Sequence, residues 1–203
     1  MTRPVVIYAE ETPNPQAMKF VADMMLIQQG ATAEYLQKSE TKSAPLAASL
    51  FNFPFVKGVF FASNFITITK NDTVHWEDII YELRDFLKNY ISQGKEIINE
   101  LPTSEVFTDN SFTNTTNAFT EHTPPQTEAE NKIIEVLEQY IRPAVQQDGG
   151  LITFKSFKEG IVTVLLKGSC SGCPSSTLTL KAGIEGLLKR MVPEVNEVVA
   201  EAV

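Results

Sequence analysis

Hydrophobic and polar positions fall into two patterned blocks separated by an unpatterned one. In the first block, Pro4 to Ala9 is apolar and β-branched and predicts a strand. Thr12 to Ala17 (TPNPQA) predicts a turn, because two prolines fix φ and bias the residues before them towards extended geometry. Met18 to Val21 and Met24 to Ile27 predict short strands, and the polar residues 30–43 predict no definite element. Ala44 to Phe51 predicts a short helix with Pro45 in its first turn. Val56 to Ala62 and Phe65 to Lys70 predict a hairpin turning at Ser63-Asn64, with Ile66 and Ile68 on one face and Phe65 and Thr67 on the other. Trp76 to Ile91 carries the strongest helical pattern. Trp76, Ile79, Ile80, Leu83, Phe86, Leu87, Tyr90 and Ile91 form one stripe that can cover the hairpin. A small α+β layer domain ending near residue 100 follows.

Leu101 to Gln126 is rich in Thr, Asn, Ser and Glu, and its apolar residues keep no period. It buries too little to offset its ordering entropy and predicts a flexible linker, with His122 solvated within it. In the last block, Thr127 to Glu130 fits a capping box. A helix follows, with Ile133, Leu137, Tyr140, Ile141, Ala144 and Val145 on one side and Pro143 kinking it or tightening its last turn. Asp148-Gly149-Gly150 ends that helix. Strands over Leu151 to Phe157 and Ile161 to Lys167, a helix from about Pro174 to Met191 and a strand over Val195 to Ala200 complete the block. The helical connection places that last strand parallel to a hairpin strand. The expected fold is α+β: a domain over residues 1–100, a flexible linker over 101–126, and an α-β-β-α-β domain over 127–203.

Composition narrows the partners. The net charge is −8 from 17 basic and 25 acidic residues, with no basic block, which argues against nucleic acid. No apolar run approaches about 20 residues, so the sequence predicts no membrane span. The first residues, MTRPVVIYAEE, enter a strand pattern without a signal or Arg-rich leader, so a cytoplasmic location is the expectation. No acid–base pair, phosphate loop or nucleophile–base arrangement is visible, and His75 reads as a cap or surface residue.

The chemistry concentrates in Gly168 to Leu180, GSCSGCPSSTLTL, which holds the only two cysteines, Cys170 and Cys173. A Cys-x-x-Cys turn brings two sulfurs to one side. Ser171 and Gly172 add no bulk, and Gly168 lets the chain turn sharply off its strand. Pro174 suits a first helical position, so Cys173 would sit near a helix N-terminus, whose partial positive charge favours thiolate. Ser175, Ser176 and Thr177 read as cap and first-turn residues rather than nucleophiles. Two sulfurs are half of an ordinary iron–sulfur or zinc site. A two-fold dimer in which each chain gives Cys170 and Cys173 would complete one. From spacing alone, a metal or cluster site, a redox dithiol and an inert pair all stay open.

The longer strings resemble a known family. ETPNPQAMKFV (Glu11 to Val21), SAPLAASLF (Ser43 to Phe51), GVFFASNFITITK (Gly58 to Lys70) and the following Trp76 are similar to the N-terminal domain of Nfu-type iron–sulfur carriers. The DGG of Asp148 to Gly150 and GSCSGCPSSTLTLKAGIEGLL (Gly168 to Leu188) resemble the C-terminal domain of NifU and Nfu proteins, with the GxCxxCPSS core intact. Leu151 departs from the polar residue common after the two glycines. The resemblance implies a carrier, not an enzyme. It implies that Cys170 and Cys173 hold a [4Fe–4S] cluster, or a [2Fe–2S] one, across a homodimer and pass it to apo client proteins. The three-cysteine scaffold domain of full NifU has no counterpart in this sequence, so an upstream iron–sulfur scaffold would load the carrier. The alternatives are a thiol–disulfide oxidoreductase using the Cys170/Cys173 dithiol and a zinc-linked structural dimer. The N-terminal domain would recognise donor or client, with the linker raising the local concentration of a captured partner.

Overall fold

The computed structural model describes residues 4–100, 122–171 and 174–202. The greater part of the expected linker lies outside the described residues.

The N-terminal unit is a five-stranded antiparallel sheet in the order β1-β2-β5-β4-β3. Its strands are β1 (Ile7–Glu11), β2 (Ala17–Ala22), β3 (Thr32–Tyr35), β4 (Val56–Ala62) and β5 (Phe65–Lys70). The β4–β5 hairpin has the expected bounds, and Ser63 at φ 43° turns it. Met24 to Ile27 is not a strand. Leu26 and Ile27 both donate their N–H groups to Ser63 O, at 2.8 and 3.1 Å, so this segment caps the hairpin turn. The polar stretch yields β3 and a 3₁₀ helix over Lys38–Ser43. The short helix α1 (Pro45–Leu50) begins on its proline, and α2 (Trp76–Ser92) is the long amphipathic helix.

Alternation along the strands divides this sheet into two faces. Met18, Phe20, Val59, Phe61, Ile66 and Ile68 pack against Ile79, Leu83 and Leu87 of α2. Yet every residue of β2 is buried, so the opposite face is covered too. Burial on both faces of an antiparallel sheet requires a second layer, and the C-terminal unit supplies it. Val21, Phe60, Ala62 and Phe65 form a separate apolar cluster with Leu151.

The C-terminal unit is a three-stranded sheet, β6 (Gly150–Lys158), β7 (Ile161–Gly168) and β8 (Glu197–Ala202), backed by helices. β6 and β7 are antiparallel, and β8 runs parallel to β7 as expected from its helical connection. Helix α3 (Glu128–Val136) starts at the capping box. Glu130 N donates to Thr127 Oγ1 at 3.2 Å, and the Glu130 carboxylate accepts from Thr127 N at 3.1 Å. Pro143 has no N–H for the helical ladder, and its ring crowds the carbonyl one turn earlier. The chain relieves this upstream, through a π turn over Leu137–Ile141, before α4 (Arg142–Gln147). Helix α5 (Pro174–Met191) starts on the expected proline.

His122 was expected to be solvated, but its side chain is only 2% exposed. Its Nδ1 accepts from Phe154 N at 2.7 Å and its Nε2 donates to Glu138, which also pairs with Arg142. Thr123 N adds a bond to Phe154 O at 2.9 Å. The chain entering the C-terminal unit is thereby pinned to β6, upstream of the expected boundary.

Candidate metal centre

The end of β7 and the start of β6 build the cradle for Cys170. Gly150 and Gly168 are paired residues in the β6–β7 ladder. Gly168 has φ +69°, a left-handed conformation that glycine adopts without strain, and this directs the chain off the strand. Ser171 N donates to Gly168 O at 3.1 Å and Ser169 N to Gly149 O at 3.2 Å, closing a tight turn around Cys170. The Ser171 hydroxyl adds a bond to Gly168 O at 2.7 Å, and the Ser169 hydroxyl donates to Asp148 O.

The cradle accepts a sulfur because Gly150 has no side chain. A Cβ on Gly150 would stand 2.7 Å from Cys170 Sγ and 2.8 Å from Lys167 O. Cys170 is therefore turned inward, 9% exposed, among the core residues of the C-terminal unit. Burial pushes its thiol up from 9.0 to about 11; the Ser169 hydroxyl works against that shift, and the Asp148 charge adds to it. The helix N-terminus expected to favour thiolate beside Cys173 does not govern Cys170, whose thiol is set by burial. Its sulfur lies in the core of the sheet unit, where charge is poorly solvated.

The sign of this shift gives a test. A thiol raised in the folded chain stays protonated where the unfolded chain's thiol ionises, so its contribution to stability is lost as pH rises from about 9 through about 11. Alkylation of Cys170 in a Cys173→Ser chain should rise with a midpoint near 11, and in urea the midpoint should return to about 9. A midpoint near 9 in the folded chain would contradict the buried geometry.

Cys173 lies outside the described residues. Ser175, Ser176 and Thr177 fall in the first turn of α5. His75 occupies the N-cap position of α2, is exposed, and makes no side-chain capping bond. Among the described residues no group of three or more His, Cys, Asp or Glu converges on one point. The described part of a single chain therefore offers soft sulfur but no complete ligand set.

The loop is also held from outside, by residues whose part in the site no local sequence pattern marks. Asn14 Nδ2 donates to Ser169 O at 3.0 Å and to Ser171 O at 3.4 Å, the carbonyls flanking Cys170. Glu34 Oε1 accepts from Gly168 N at 2.7 Å, and Thr67 Oγ1 donates to Gly149 O at 2.7 Å. Lys19, paired with Glu10 at 2.9 Å, reaches Gln147 O at 3.1 Å. The available sequence signal was Asn14 between two prolines, and Phe60 and Phe65 on the strand face opposite the helices.

Comparison with known proteins adds the decisive observation. Residues 7–94 match the family model for the scaffold protein Nfu/NifU N terminal, and residues 133–199 match that for the NifU-like domain. The chain belongs to the Nfu/NifU family. It is 35% identical over 196 residues to the NFU1 iron–sulfur cluster scaffold homologs, mitochondrial, of Drosophila sechellia and Drosophila simulans, covering 97% of this chain and 65% of each relative. The match to the relative from Drosophila ananassae is also 35% identical, with 64% of that protein covered. The chain thus spans about two thirds of the length of these Nfu relatives. A solution structure of a NifU-like protein from Saccharomyces cerevisiae covers 47% of this chain and 86% of its own, at 25% identity and a TM-score of 0.41.

These relatives correct the expected location. They are named as mitochondrial proteins, which overturns the cytoplasmic expectation. The lack of a leader pattern in MTRPVVIYAEE was a weak basis for choosing a compartment.

Proposed function

We propose that this Nfu/NifU chain is a carrier of iron–sulfur clusters and not an enzyme. Cys170 and Cys173 of two chains together hold one [4Fe–4S] cargo, received from an upstream scaffold and released to apo client proteins. The single observation that carries this reading is the match of both Nfu/NifU units to a chain whose only cysteines are this pair. Ligand counting supports the shared site, since iron–sulfur clusters ordinarily take four thiolates and each chain has two. Release would be ligand exchange. A client thiolate forms a bond to iron as a bond to Cys170 or Cys173 breaks, with no change in electron count, and the freed thiolate takes up a proton.

The redox reading requires an accessible thiol of low pKa. Cys170 is buried and raised, which counts against a fast dithiol. Anaerobic reconstitution with iron and sulfide tests the proposal. The expected product is brown, absorbs in the visible, and passes its absorbance to an apo client that requires a cluster. A chain that stays colourless with both cysteines intact, or that binds zinc alone after purification without oxygen, would overturn it.

A further inference from the structure

We infer that the TPNP turn of the N-terminal unit is an intramolecular latch that holds the cysteine loop in its sulfur-buried form, with Asn14 as the positioning residue. The turn is built for rigid presentation. Pro13 and Pro15 fix φ on both sides of Asn14, and Thr12 Oγ1 donates to Asn14 O at 2.9 Å and to Ala17 O at 3.0 Å. Trp76 Nε1 ties the turn to α2 through Pro15 O at 2.9 Å. The Asn14 amide cannot swing, because its Oδ1 accepts from Gln16 N at 3.0 Å and so points Nδ2 at the loop.

Asn14 is 4% exposed, and its amide is spent on the two carbonyls that bracket Cys170. A peptide unit whose neighbours are both fixed cannot rotate its side chain out of the core without releasing them. Glu34 on Gly168 N and Thr67 on Gly149 O hold the two ends of the same cradle, and Phe60, Phe65, Val21 and Leu151 seal the contact with apolar surface. These contacts join the two sheet units, so undocking breaks them together.

The consequence for cargo rests on the carrier reading, whereas the latch itself does not. Iron shared with a second chain must reach Cys170 Sγ, which faces the core of its own chain while docked. That core belongs to the C-terminal unit, so the sulfur comes out only when the loop turns, and the loop turns only when its carbonyls leave Asn14; lifting the N-terminal sheet frees them. Lifting also uncovers Phe60, Phe65 and Val21 as an apolar patch in the open, loaded form. The N-terminal unit thus holds the loop in the form in which the C-terminal core covers the Cys170 thiol.

The test uses the full apo chain in a Cys173→Ser background. Alkylation of a buried thiol proceeds through the open form and scales with its population. Asn14→Asp keeps the shape, removes both donated bonds and sets a carboxylate against two carbonyls. Cys170 alkylation should rise by about tenfold or more, while circular dichroism stays that of a folded chain. Thr67→Val removes a latch bond from a different strand. It should raise the rate by several-fold, and it serves as the reporter if Asn14→Asp does not fold. With Cys173 restored, either variant should take up iron and sulfide faster than the parent. Alkylation of a folded variant within about twofold of the parent would overturn the latch, whatever happens to loading. If alkylation rises while no chain loads a cluster, the latch stands and the carrier reading fails.

Discussion

Replacing Cys170 by serine should reduce cluster uptake by at least about tenfold, to the background of unreconstituted protein. Iron in a sulfide cluster is bound by soft thiolate, and a serine hydroxyl is hard and protonated at neutral pH. In the proposed shared centre the loss is amplified, because one substitution would remove a ligand from each of two chains. The substitution also places a hydroxyl where a sulfur packs among Ile152, Val164 and Leu166, at a cost of about 1–3 kcal/mol. Urea unfolding distinguishes the two effects: a modest fall in stability with cluster uptake abolished is the expected pair. Cys170→Ala should lose uptake equally without burying an extra polar group. Uptake retained in either variant would remove Cys170 from the ligand set.

Gly150→Ala should destabilise the chain by about 1–3 kcal/mol and free the Cys170 thiol at the same time. The new methyl would stand 2.8 Å from Lys167 O, which belongs to the β6–β7 ladder and cannot retreat without breaking pairing. It would also stand 2.7 Å from Cys170 Sγ, which can retreat by turning out of the core. The relaxation therefore runs through the cysteine. Urea unfolding should record the loss, and alkylation in the Cys173→Ser background should record faster reaction of Cys170. A Gly150→Ala chain as stable and as slowly alkylated as the parent would contradict the cradle. The clash lies wholly within the C-terminal unit, but turning Cys170 out also strains the carbonyls that Asn14 holds, so the gain in alkylation should be larger when Gly150→Ala is combined with Asn14→Asp.

Much of the fold was legible because its elements are strongly patterned. The β4–β5 hairpin, α2, the Thr127 capping box and the start of α5 at Pro174 follow from alternation, a continuous apolar stripe, reciprocal capping and a proline at a first helical position. Strand β3 escaped because Thr32 to Tyr35 is a short edge strand, held by a single neighbour, β4. The apolar Met24 to Ile27 has a strand-like composition, but its N–H groups are taken by the turn at Ser63. Pro143 did disturb its helix, one turn earlier than its position in the chain.

The candidate site was legible as chemistry but not as environment. Spacing identified Cys170 and Cys173 as the pair to follow; it could not show that Cys170 faces the core, because that depends on Gly150 lying opposite Gly168 in the ladder. Phe60 and Phe65 on the nominally outer face were the sequence's trace of a covered sheet. Long-range contacts decide what covers it, and residues 14 and 169 meet only in three dimensions.

The central claim is that this chain holds half of a ligand set. It is tested most directly by measuring iron, sulfide and molecular mass on one anaerobically reconstituted sample. One [4Fe–4S] cargo per two chains predicts about two irons and two sulfides per chain, in a dimer that reverts towards the apo state when a chelator strips the iron. A cluster held at full occupancy by a monomer, or a colourless chain with Cys170 and Cys173 intact, would contradict it.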